Sequence, residues 1–121
     1  INAGWDKEYG GIFYFVDALG QPPEAYEHDM QLWWPHDALL ISSLMLDRDT
    51  GKEEYLDWFY TTLDYCKAHF ADSEYGEWYG YLHRDGKPTE PPCKGSTFKG
   101  PFHLPRMLIM TDLMAGELLA E

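Results

Sequence analysis

The sequence predicts an all-α-dominated chain, an arc of an α/α toroid with short β-hairpins at one rim. Three observations predict it. A turn followed by an aromatic run recurs at a spacing of 66 residues. Long apolar segments carry the helical period instead of strict alternation. A nearly all-apolar helix is followed by an amphipathic one, the pattern of an inner helix walled by an outer helix.

The repeat sets the order of elements. Asp6-Lys7-Glu8-Tyr9-Gly10 returns as Asp72-Ser73-Glu74-Tyr75-Gly76. The first copy runs into Ile12-Phe13-Tyr14-Phe15 and the second into Trp78-Tyr79-Gly80-Tyr81. Each then meets a turn ending in glycine, Gly20 or Gly86, where positive φ permits a tight hairpin. Further on, each copy reaches a histidine beside proline, Pro35-His36 and Pro101-Phe102-His103-Leu104-Pro105, and a helical pattern follows.

The first helix is expected from about Asp37 to Asp49, apolar at Ala38, Leu39, Leu40, Ile41, Leu44, Met45 and Leu46, and stopped by Thr50-Gly51. The second, about Lys52 to Phe70, places Tyr55, Phe59, Leu63, Cys66 and Phe70 on one face. The third begins near Pro105, a good first-turn residue, and continues through Met107, Leu108, Ile109, Leu113, Met114 and Leu118. The units are thus about 1–71 and 72–121, the second without its outer helix. Such an arc exposes a flank of each end helix, so pairing with further chain or with other copies, a homo-oligomer, is expected. The turn-rich opening at Ile1 suggests a piece of a longer protein.

Composition narrows the function. With 45% apolar and 17% aromatic residues the chain has the material for a core and fits one domain. Twenty-one acidic against nine basic residues give a net charge of −12, which excludes nucleic acid and an anionic membrane surface as partners. No apolar run approaches the ~20 residues of a membrane span, and no basic-then-apolar stretch reads as a secretory signal. Cys66 and Cys93 lack metal-ligand spacing and suit a reduced, cytoplasmic protein.

Three further segments carry a resemblance. Leu32-Trp33-Trp34-Pro35-His36, Gly76-Glu77-Trp78-Tyr79-Gly80-Tyr81-Leu82 and Lys94-Gly95-Ser96-Thr97-Phe98-Lys99-Gly100-Pro101-Phe102-His103-Leu104-Pro105-Arg106 resemble the WWPH, GEWxGYL and KGGxFKGxFHxPR segments of the N-acylglucosamine 2-epimerase family. With Gly10-Gly11-Ile12-Phe13-Tyr14-Phe15 they follow family order along nearly the whole chain. The resemblance implies an (α/α)6 barrel of which this is the C-terminal third. Six units of 66 residues come to about 400, the size the family implies.

It also implies the reaction, interconversion of N-acetylglucosamine and N-acetylmannosamine by inversion at C2. The C2 proton is acidic only α to the C1 aldehyde of the opened sugar. One base removes it and an acid on the opposite face returns one, and histidine can do either near neutrality. The resemblance makes His103 one member of that pair. Its counterpart lies in a segment without a match here, so the piece alone is expected to be inactive. No cofactor is required. ATP would act only as an allosteric activator of the full-length protein, and the ATP-responsive region has no match here.

The remaining candidates each have two readings. His103, near Lys99 and Arg106 in sequence, is a proton carrier or a packed helix cap. His36 lines the pocket or serves as a hydrogen-bonded cap. Of Trp33 and Trp34, adjacent on one element, one is expected in the core and one against the sugar. Phe98 stacks on sugar or fills the core. Lys99 stands with the substrate-binding set. Arg106 anchors a sugar hydroxyl or pairs with a carboxylate such as Glu77. Ala38 occupies the family's usual glutamate position, and Asp37 is rotated ~100° from it on a helix. Other functions compatible with the sequence are an aldose–ketose isomerase or cellobiose-type 2-epimerase, a glycosidase, and a non-catalytic binding or assembly module.

Overall fold

The computed structural model describes residues 1–120. Its elements are β1 (Met30–Leu32), α1 (Trp33–Thr50), α2 (Glu53–His69), β2 (Tyr81–His83) and α3 (His103–Ala120). The three helices carry the fold, with α1 packed between α2 and α3. The core gathers Leu32, Trp33, Leu40, Ile41 and Leu44 with Tyr65, Cys66 and Phe70, Leu82, and Leu104, Met107 and Met114. The central place of α1 explains its near-uniform apolarity: with neighbours on two sides, one stripe would not suffice.

α1 begins at Trp33, not near Asp37 as expected, so the Trp-Trp-Pro-His segment forms its first turn. Pro35 is tolerated because a first-turn N–H has no helical partner to lose. The first N–H of the helix is instead satisfied from outside, Trp33 donating to Gly80 O at 3.1 Å. Gly51 ends α1 in the left-handed conformation and donates to Asp47 O at 2.7 Å. α2 carries Glu53 and Glu54 in its first turn and Lys67 and His69 in its last, the distribution that suits the helix dipole. α3 starts at His103, two residues before Pro105.

The two Asp-x-Glu-Tyr-Gly segments fold alike. Gly10 N–H donates to Asp6 O at 2.9 Å and Gly76 N–H to Asp72 O at 3.0 Å. Each aspartate Oδ1 also accepts from the backbone two residues on, at 2.9 Å in both. Bridges Trp5↔Ile12 and Ala71↔Trp78 close the loops. β2 continues the second aromatic run into the turn at Gly86, where Leu82 bridges Pro88, whereas β1 lies outside the expected hairpins. β1 pairs antiparallel with β2, Gln31 opposite Leu82, and so ties the two halves of the chain together. Arg84, beyond β2, adds a second tie through Asp6 at 2.5 Å and Glu8 at 3.1 Å.

Leu108, Ile109 and Leu113 leave an apolar flank of α3 in solvent, more than half exposed at each position. Among the described residues, no helix is long and apolar enough to cross a membrane, and no cluster of metal-ligating side chains forms.

Candidate active site

The N-terminal ends of α1 and α3 meet, and the meeting point is aromatic. His103, the first residue of α3, lies with its ring centroid 5.8 Å from Trp34 and 6.2 Å from Trp33. Tyr14 stands edge-on to Trp34 at 5.7 Å, and Phe102 edge-on to His103 at 5.0 Å. Consecutive positions on a helix point ~100° apart. Trp33 therefore turns into the core, 2% exposed, while Trp34 stays half-buried beside the imidazole. Of the two tryptophans, Trp34 is the one outside the core. Tyr14 completes the wall. The sequence holds it within an aromatic run, but nothing in its spacing separates it from Phe13 or Phe15.

His103 is half-buried. Its Nδ1 is enclosed without a hydrogen-bond partner. Nε2 is thus the nitrogen left to meet a substrate. Burial lowers the pKa of the ring, and the positive charge of Arg106 lowers it further. Both causes disfavour imidazolium, so the resting ring is neutral and ready to accept a proton. Arg106 lies one turn along α3, exposed, its guanidinium over the Phe102 ring at 5.1 Å. Glu77, the expected carboxylate partner for Arg106, is engaged by Lys99.

His36 does not join this group. It sits one turn into α1, fully buried, stacked on Tyr65 at 5.3 Å and tilted against Phe70 at 4.8 Å. Nδ1 donates to Leu32 O at 2.7 Å, and Nε2 accepts from Ile12 N–H at 3.0 Å. Those two bonds fix one neutral tautomer, and burial lowers the pKa to about 4. The structure places His36 in the core, with both ring nitrogens engaged. Because α1 already starts at Trp33, His36 faces inward and pins the first loop to the core.

Lys99, expected with the substrate-binding set, is likewise enclosed. Its side chain is 3% exposed, and its ammonium donates to Glu77 Oε1, Glu77 Oε2 and Lys94 O, each at 2.7 Å. An ammonium has three donors, and all three are occupied. Phe98 lies apart from the imidazole, 78% exposed, and lines a shallow groove of about 430 Å³ with Tyr26, Met30, Tyr81 and Thr89. It fills no core, and the groove edge leaves it accessible.

One buried group was outside the expected set. Asp37 is fully enclosed, and neither carboxylate oxygen has a partner. Burial raises its pKa to about 7, against the lowering fields of Lys99 and Arg106. Ala38, one position on, is half-buried on the side of the helix that Trp34 occupies.

Comparison with known proteins identifies the relatives of the chain. The profile of the N-acylglucosamine 2-epimerase (GlcNAc 2-epimerase) family matches residues 1–99. The chain is 48% identical over 121 residues to the N-acylglucosamine 2-epimerase of Bos taurus, all of this chain and 28% of that protein. It is 46% identical over 121 residues to that of Homo sapiens, again 28% of its length. Among solved structures, a D-mannose isomerase superimposes with a TM-score of 0.82 at 19% identity, covering 93% of this chain and 27% of that one. The cellobiose 2-epimerase of Spirochaeta thermophila superimposes with a TM-score of 0.68 at 23% identity, covering 74% and 23%. The chain spans a little over a quarter of the length of the curated relatives it matches, and it belongs to the N-acylglucosamine 2-epimerase family.

Proposed function

We propose that the protein containing this chain inverts C2 of an opened N-acyl-hexosamine, interconverting N-acetylglucosamine and N-acetylmannosamine. His103 is one of its two proton-transferring residues. The observation that carries this reading is the half-buried, neutral-leaning His103 against Trp34 at the junction of α1 and α3. A neutral imidazole there accepts the C2 proton, and the electrons pass into an enolate whose charge rests on O1. A second acid on the opposite face returns a proton to C2, and both groups are restored on the reverse passage. Arg106, exposed one turn along, is the cation best placed to face the developing charge. The aromatic wall of Tyr14, Trp34 and Phe102 offers apolar faces for the sugar's C–H edges.

Proton transfer α to an aldehyde needs no cofactor, so none is assigned. ATP is left a role only as an activator bound elsewhere in the full-length protein. The apolar flank of α3 supports a closed (α/α)6 barrel completed by further chain, and a homo-oligomer of such barrels is the assembly proposed. Cys66 and Cys93 are both unpaired, which suits the cytoplasm.

Incubating the full-length protein with N-acetylmannosamine in deuterium oxide tests the reading. Deuterium should enter at C2 while N-acetylglucosamine accumulates. Exchange with mannose or cellobiose in place of the N-acyl sugar would favour the isomerase or disaccharide-epimerase alternative, the activities for which the structural relatives are named.

A further inference from the structure

Lys99 lies in the run that leads to His103, and it ties together the parts of the candidate site without touching the imidazole. Its three donors go to Glu77 and to Lys94 O. Glu77 holds the left-handed conformation at φ 64°, in register with Gly11 of the first loop at φ 81°. A non-glycine residue there is strained, and its side chain explains the tolerance: Oε2 also accepts from Trp78 N–H at 2.7 Å. The Lys99 stem runs over Gly80. A Cβ on Gly80 would stand 2.9 Å from Lys99 Cδ, so only glycine leaves the path open. Gly80 O in turn accepts from Trp33 N–H and so fixes the first turn of α1. From the backbone side, Lys99 N–H donates to Ser96 Oγ at 3.1 Å, and four residues later α3 begins at His103.

We infer that Lys99, clamped by Glu77, is a positioning residue that sets His103 against Trp34 by locking the loop before α3 to the turn that caps α1. The inference rests on the reading of His103 as a proton carrier. The partners facing the ammonium are two carboxylate oxygens and a carbonyl, with Asp37 and its unpartnered carboxyl also close enough to feel the charge. Glu77 takes the ammonium by direct contact, while at Asp37 the same charge lowers a pKa that burial raises to about 7.

The test uses K99M, which retains the stem, and E77Q, which retains the lysine, in the full-length protein. A displaced imidazole loses the geometry on which proton transfer depends, and shifts on the order of 1 Å cost up to ~100-fold in rate. Both variants should lower kcat for C2 exchange of N-acetylmannosamine by roughly 10–100-fold and leave KM within about threefold. A raised KM with unchanged kcat in K99M would make Lys99 a substrate contact and overturn the inference. The second readout needs no activity. In imidazole ¹⁵N spectra, both variants should shift or broaden the His103 resonances and spare those of His36. An unmoved His103 signal in a folded variant overturns the clamp. If wild-type protein exchanges no C2 proton, the proposed reaction fails while the spectra still decide the clamp. If K99M does not fold, E77Q carries the test, because Glu77 is about half exposed.

Discussion

Replacing Asp37 by asparagine removes a charge that the core cannot solvate, and its effect has a pH signature. The folded carboxyl keeps its proton to about 7, whereas an unfolded aspartate ionises near 3.8. Stability from this group is complete below the unfolded pKa, falls as pH rises from about 4, and is fully lost above about 7. A displacement of about 3 units corresponds to about 4 kcal/mol. The amide has no such titration, so D37N should match wild type near pH 4 and exceed it at pH 8 by up to that amount. In urea, at an m-value of about 2 kcal/mol per molar, the midpoints would separate by ~2 M at pH 8. Denaturation followed by tryptophan fluorescence at both pH values makes the measurement. A wild-type advantage at pH 8 would refute the reasoning and mean that Asp37 is ionised and paired.

Other perturbations follow from the same contacts. H36A should cost about 2–4 kcal/mol, since it opens a cavity and strands Ile12 N–H; urea midpoints measure it. Wild-type His36 has the opposite pH signature to Asp37. Its lowered pKa makes stability fall as pH drops from about 6.5 towards 4, by about 3 kcal/mol, a trend absent from H36A. W34A uncovers His103, and because burial is the leading cause of its lowered pKa, NMR titration should show that pKa rise. G11A places a Cβ 2.7 Å from Tyr65 Cζ at φ 81° and should lower the melting temperature by several degrees.

The helices were legible because burial left an apolar record of them in the sequence. α2 falls within a residue of its expected span at each end. The start of α1 was hidden by Pro35, which reads as a breaker but costs little in a first turn. The inward direction of the His36 ring follows from the same start at Trp33. The start of α3 beside His103 was legible from Pro105, a good first-turn residue. The partners of Lys99 were not, because an ion pair across 22 residues leaves no periodic trace. The isolation of Asp37 was equally silent, since one acidic letter in an apolar run looks the same whether it faces solvent or core.

The central claim is that His103 moves the C2 proton. Solvent-deuterium incorporation at C2 of N-acetylmannosamine, compared between the full-length protein and its H103A variant, tests it most directly. The account predicts incorporation by the wild type and a loss of roughly 10²–10⁴-fold or more in the variant. Retention of most of the wild-type rate by H103A would contradict it.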